Sequence, residues 1–459
     1  MKIVSINPYT EEVNGEFEAL AFDQCDAAVK RARNALPAWE SLAVTERAKL
    51  LERIITRLEN RKQCFARIIT REMGKPIRQS VSEIDKCVLL CRYYLQNSPE
   101  FLQDEIIATE SARSYVAFQP LGIILGIMPW NFPFWQVLRF AIPTLIAGNA
   151  CLLKHASNVP IAALEIAELF IESGFPDNIL QTLLTGAETA GELIEQDKVD
   201  GVSLTGSVAA GSKIGSLAGK KIKKLVLELG GSDPFIVLED ADVANAAKQA
   251  VRARTANTGQ SCLAAKRLIV AEAVAAEFEA EFVANLRAAR IGDPMEQETD
   301  LGPLARKDLV EDLEAVLADA LSKGAKVTYG PKPPTGKGFF FQPALVTEVT
   351  PEMRILREEV FGPLAPILIV RNEREVIERA NATEFGLGAS IWSRNIGRAE
   401  ELARHIKAGF VSINSIVKSD PRLPFGGIKK SGVGRELSHY GLREFVNVKT
   451  VVISGSEND

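Results

Sequence analysis

From residue 121 onward the chain alternates between short apolar runs and helix-length runs, and no other feature restricts its fold as strongly. Residues 121–128 form a nearly continuous apolar strand, of the kind buried on both faces of a parallel sheet. A helical pattern follows over 133–146, then a strand over 150–154, a helix over 161–172 and a strand over 179–184. The alternation continues with a helix over 188–196, a strand over 201–205, a helix over 208–217 and a strand over 224–229. Repeated β-α-β units predict an α/β protein with a Rossmann-like, doubly wound sheet. In such sheets ligands bind beyond the carboxyl ends of the strands.

A second β/α series predicts a second α/β domain. Its strands fall near 235–238, 267–270, 366–370, 388–392 and 409–413, and its helices over 273–289, 307–323, 373–380 and 398–407. Before residue 121 the spacing predicts helices over 24–39, 45–70 and 79–96, then an extended segment over 106–119. Residues 331–338 read as a surface loop. A chain of 459 residues exceeds one simple core, so two or three domains are expected.

Composition excludes several function classes. A net charge of −5 argues against nucleic acid or an anionic membrane surface as partner. No apolar run is long enough to span a bilayer, and the first residues lack a signal-peptide core, so a cytoplasmic protein is expected. The 6 cysteines are scattered, unlike a disulfide framework. Cys87 and Cys91 share a helix face with no histidine nearby in sequence, so they read as core packing and no metal site is expected.

One cysteine is differently placed. Asn257-Thr258-Gly259-Gln260-Ser261-Cys262 joins a helix-like run to a strand-like run through a turn containing glycine. Taken alone, Cys262 is equally readable as a small buried thiol. Three other strand ends carry chemistry-bearing residues. Asn131, in Pro129-Trp130-Asn131-Phe132-Pro133, sits where a helix begins; its amide can donate to developing negative charge or cap the helix. Glu228 is flanked by leucines ahead of Gly230-Gly231; it is either a partly desolvated general base or the polar face of a strand. Thr205-Gly206-Ser207 opens a helix but is neither a G-x-G-x-x-G fingerprint nor a P-loop. Lys154 ends a strand, where a lysine can reach a ribose or phosphate oxygen or simply face solvent.

In order, these pieces resemble the aldehyde dehydrogenase superfamily over nearly the whole chain. The match runs from Ile6-Asn7-Pro8 through Pro129-Trp130-Asn131-Phe132-Pro133, Leu204-Thr205-Gly206-Ser207 and Glu228-Leu229-Gly230-Gly231. It continues through Gly259-Gln260-Ser261-Cys262, Glu358-Glu359-Val360-Phe361-Gly362-Pro363 and Pro424-Phe425-Gly426-Gly427. Local wording such as Met73-Gly74-Lys75-Pro76 and Leu152-Leu153-Lys154-His155-Ala156 is similar to bacterial-type succinate-semialdehyde dehydrogenases. The resemblance implies a dinucleotide-binding domain (1–102 and 121–230), a catalytic domain (231–430) and a small β oligomerisation arm (103–120 and 431–459), assembled as a homodimer or dimer of dimers. It implies Cys262 as nucleophile, Glu228 as general base and Asn131 as oxyanion donor. Trp130, Lys154, Gly206, Ser207, Glu359 and Phe361 would line the dinucleotide site.

Two choices follow. Relatives that prefer NAD commonly carry Glu where this chain has Ser157. A carboxylate ~4 Å from a 2′-phosphate would repel it by up to ~4 kcal/mol at an effective dielectric of about 20. Serine removes that repulsion, so NADP is the expected cofactor and NAD the weaker one. Trp135 and Arg139 are four apart on one helix face, which makes Arg139 the expected cation for a substrate carboxylate. A structural ion pair is the alternative for Arg139. Ser261 and Ser419 would add hydrogen bonds, and Phe132 and Phe425 apolar walls. The expected reaction is oxidation of succinic semialdehyde to succinate through a thioester on Cys262. The alternatives are another small or ω-carboxy aldehyde, or a binding protein of the same fold. A redox switch through a cysteine two residues after the nucleophile is excluded, because that position is Ala264.

Overall fold

The computed structural model describes residues 2–454, so Met1 and residues 455–459, which the sequence assigns to the first domain and to the arm, lie outside the described residues. The architecture is α/β, with two large sheets. The first has six strands in the order Gly432–Val433, Lys224–Glu228, Gly201–Thr205, Ile123–Met128, Ala150–His155, Leu180–Thr182. All its pairings are parallel except that of Gly432–Val433. The chain runs outward from Ile123–Met128 to Leu180–Thr182, then returns to lay Gly201–Thr205 on the other side. The order therefore reverses beside Ile123–Met128, and the loops after it and after Gly201–Thr205 face each other across a crevice.

The second sheet has seven strands in the order Lys326–Tyr329, Ala344–Thr347, Leu364–Val370, Ala265–Ala271, Asp233–Val237, Gly388–Trp392, Phe410–Ile413. Only the outermost, Lys326–Tyr329, is antiparallel. A three-stranded antiparallel sheet joins Val446–Ile453, Arg113–Pro120 and Glu105–Ile106. A hairpin of Lys2–Ile6 and Val13–Glu18 completes the strands.

Several expectations are corrected here. The segment over 45–70 is three helices, Val44–Lys49, Leu51–Asn60 and Lys62–Met73, separated at Leu50 and Arg61. The arm assigned to the chain after 430 starts later. Gly432 pairs with Glu228 and extends the first sheet, and Leu437 and Leu442 pack into that sheet's core. Only Val446–Ile453 joins the small sheet.

Two helices that frame the first sheet begin at proline and lack a side-chain cap of their own. Carboxylates from the N-terminal helices satisfy their free N–H groups instead. Glu83 accepts from Phe134 and Trp135 at 2.9 and 3.0 Å, at the start of Pro133–Ile146. Glu72 accepts from Ile161 and Ala162 at 3.0 and 2.8 Å, at the start of Pro160–Glu172. A carboxylate at a helix N-terminus also complements the helix dipole. Glu83 is in turn paired with the buried Lys75, whose ammonium lies 3.8 Å from the Phe132 ring centroid. These contacts fix where the Asn131 loop enters its helix.

Candidate active site

The turn bearing Cys262 is held open by strain and by hydrogen bonds. The helix Val243–Thr255 ends, and Asn257 and Thr258 both take left-handed backbone angles, with φ of 54° and 55°. Asparagine tolerates that region; a β-branched threonine does so at a cost, on the order of 1–3 kcal/mol, that surrounding contacts must offset. They do. The Asn257 backbone N–H donates to Gln79 at 2.7 Å, and the Thr258 hydroxyl donates to the Gly302 carbonyl at 3.1 Å. At Gly259 (φ 77°) a Cβ would stand 2.4 Å from the Gly362 backbone, so only glycine fits.

The same turn is tied to Asn131. The Asn131 side-chain amide donates to the Gln260 carbonyl at 3.1 Å, while the Asn257 amide donates to the Asn131 carbonyl at 2.9 Å. The Gln260 side chain reaches on to Ala305. After Cys262, the Lys266 ammonium donates to the carbonyls of Ser261 and Cys262 and to Glu359.

Cys262, Asn131 and Glu228 line one cavity of about 250 Å³ at the reversal point of the first sheet. Glu228 ends the strand Lys224–Glu228, is 2% exposed, and its Oε1 has no hydrogen-bond partner. Burial raises its carboxyl well above the usual carboxylate range, with Arg139 opposing and Glu436 adding to the rise. Cys262 is half-buried. Burial pushes its thiol up to about 12, although Lys266 and Arg139 pull the other way. Burial thus favours the protonated thiol, and a further cation beside it would favour the thiolate.

The cavity also carries Trp130, Gly206, Ser207, Glu359 and Phe361, the residues expected to line a dinucleotide site. Trp130 and Phe361 meet edge to face, with centroids 5.8 Å apart. Gly206 and Ser207 open the helix Val208–Lys220, where the Ser207 hydroxyl accepts from the Ala210 N–H at 3.2 Å. A Cβ at Gly230 would lie 2.1 Å from the Glu359 carboxylate, so this wall is backbone. Glu359 is held by the Gly231 N–H and by Lys266. Lys154 and Ser157 lie at and just after the end of the neighbouring strand Ala150–His155, the lysine half-buried and the serine exposed. A bare glycine wall, a helix N-terminus and an adjacent lysine suit a ribose-phosphate chain.

A second cavity, of about 700 Å³, is lined by Phe132, Trp135 and Lys86 among others. Here the substrate residues separate. Phe132 and Trp135 reach this cavity, and Ser419 accepts a 2.6 Å hydrogen bond from the Lys86 ammonium. Arg139 does not fill the role expected of it. Its Nε faces the Glu436 carboxylate at 2.5 Å and its Nη2 donates to Thr205 at 3.3 Å, so its charge is already paired inside the protein. Phe425 is buried, with the Arg139 guanidinium 5.0 Å from its ring centroid, and lines neither cavity. The Ser261 hydroxyl accepts from the Leu263 N–H within its own turn. The pairing of Arg139 was not readable because Glu436 arrives from the distant segment that joins the first sheet at Gly432.

The sequence over residues 1–451 matches the model of the aldehyde dehydrogenase family. This chain is an aldehyde dehydrogenase family member. It is 47% identical over 454 residues to a probable NADP(+) succinate-semialdehyde dehydrogenase of Synechocystis sp., covering 99% of this chain and 100% of that protein. It is 43% identical to an NAD(P)+ succinate semialdehyde dehydrogenase of Escherichia coli, covering 98% and 97%. Among solved structures, the succinic semialdehyde dehydrogenase of Streptococcus pyogenes, in complex with NADP+, superposes with a TM-score of 0.96 at 36% identity, covering 99% and 100%.

The dehydrogenase also has site residues that the sequence reading passed over. Lys266 and Gln260 shape the nucleophile turn. Arg306 lies 5.4 Å from the Trp130 ring centroid on the cofactor side. Lys86 lines the larger cavity. For Lys86 a signal existed: Arg78, Ser82 and Lys86 recur every four residues on one helix, all facing that cavity.

Proposed function

We propose that this dehydrogenase oxidises succinic semialdehyde to succinate with NADP. One observation carries the reading: Cys262, Asn131 and Glu228, from three separate segments, meet on a single cavity at the sheet's reversal point. The Cys262 sulfur adds to the aldehyde carbon, and the oxygen's negative charge is met by the Asn131 amide and the Cys262 backbone N–H. When bound, the oxidised nicotinamide favours the thiolate by its charge and accepts the hydride whose loss leaves a thioester on Cys262. Glu228 then takes a proton from water, which attacks the thioester and releases the acid with the thiol restored. Its raised pKa makes it a stronger base than an exposed carboxylate. It also means that hydrolysis speeds up as pH rises through that pKa.

NADP rather than NAD is supported by Ser157 and Lys154 at the end of Ala150–His155, and by the cofactor named for the Synechocystis and Streptococcus pyogenes relatives. Trp130, Gly206, Ser207, Glu359 and Phe361 would hold the rest of the dinucleotide. A homo-oligomer in the cytoplasm fits the exposed apolar residues of the small sheet, Ile106, Val448 and Val452, and the 6 unpaired cysteines. No helix among the described residues is long and apolar enough to cross a membrane. A matrix of aldehydes and cofactors tests the proposal on purified protein. The highest kcat/KM is expected for succinic semialdehyde with NADP; equal or higher values with NAD, or with uncharged aldehydes, would contradict it.

A further inference from the structure

We propose that Lys86, assisted by Ser419, is the residue that recognises the far carboxylate of the aldehyde substrate. The inference rests on the succinic semialdehyde reading and names the cation that reading requires. Lys86 lies on the helix Ile77–Phe101 and lines the 700 Å³ cavity beside Phe132 and Trp135. Its ammonium sits 4.1 Å from the Trp135 ring centroid and donates to the Ser419 hydroxyl at 2.6 Å.

Its pairing differs from that of Lys75, Lys266 and Arg139. Three cations more deeply buried than the half-buried Lys86 each hold a carboxylate: Lys75 with Glu83, Lys266 with Glu359, and Arg139 with Glu436. Among the described residues, Lys86 has no such partner. A half-buried ammonium without an anion is only partly solvated, and an arriving carboxylate offsets that cost. Ser419 and Trp135 hold the ammonium without neutralising it, which leaves donors free for a ligand. Exposed Lys248 and Arg252 on the same cavity add a positive field that draws an anion inward.

Lys86 also carries a signature that arginine cannot imitate. Burial and the neighbouring Arg139 bring its ammonium down to about 8, with Cys87, Glu83 and Cys262 opposing. It is therefore charged at neutrality and loses its charge in mildly alkaline solution. A substrate carboxylate, ionised above about pH 5, does not change over that range.

The test is the ratio of kcat/KM for succinic semialdehyde to that for butanal, measured from pH 7 to pH 10. Effects of Cys262 and Glu228 ionisation enter both aldehydes and cancel in the ratio. In the unaltered enzyme the ratio is expected to fall about 10- to 100-fold as pH rises through about 8. In Lys86→Met it should be lower by that factor at pH 7 and independent of pH. A flat ratio in the unaltered enzyme, or a Lys86→Met protein that loses both aldehydes equally while retaining its fold, would overturn the assignment. If Lys86→Met does not fold, the pH profile of the unaltered enzyme still decides. If the unaltered enzyme shows no preference for succinic semialdehyde at pH 7, the substrate reading itself fails.

Discussion

The cavity that Cys262 lines pairs two bare glycines, Gly206 and Gly230, with the aromatic rings of Trp130 and Phe361, and its carboxylate Glu359 is pinned by Lys266. The larger cavity is walled by Phe132 and Trp135 and carries Lys86, Lys248 and Arg252. The charged side chains of the first are mainly carboxylates, Glu228 and Glu359, and those of the second mainly cations. On the proposed reading the two cavities would serve cofactor and anion through different groups.

The comparison can be broken at several points. Cys262→Ala should reduce kcat by about 10⁴-fold or more while NADP binding, measured by titration, is retained, because the cofactor wall does not depend on the sulfur. Substantial residual turnover would move the chemistry elsewhere. Arg139→Ala is expected to destabilise the fold by about 3–5 kcal/mol in denaturant unfolding, because Glu436 is left as a buried unpaired charge. Its effect on KM should be similar for charged and uncharged aldehydes; a selective loss for succinic semialdehyde would return Arg139 to the substrate side. Ser157→Glu should shift the NADP-to-NAD preference by up to ~4 kcal/mol and leave aldehyde selectivity alone. The smallest effect is at Lys86, where selectivity should decline only above about pH 8.

Much of the cofactor side was legible in the sequence. The helix Pro133–Ile146 and the strands Gly201–Thr205 and Gly388–Trp392 fall at the positions the periodicity predicts. Asn131 and Glu228 lie at strand ends, where the β-α-β rule puts ligands. The substrate side was less legible because it is assembled from distant helices and loops. Spacing placed Trp135 and Arg139 on one face, but it could not show that Glu436 would claim the arginine. Nor could it show that Ser419 would meet Lys86. The strands Lys2–Ile6 and Lys326–Tyr329 were missed for a similar reason. Both lie at sheet edges in antiparallel pairs, and their structure depends on partners that local pattern does not reveal.

The most direct test of the two-step chemistry is rapid mixing of Glu228→Gln with succinic semialdehyde and NADP, followed by mass analysis of the protein. A burst of reduced cofactor matching the number of active sites, slow turnover afterwards, and a succinyl group trapped on Cys262 are the expected results. Steady turnover near that of the unaltered enzyme, or a burst with no adduct on Cys262, would contradict the assignment of nucleophile and base.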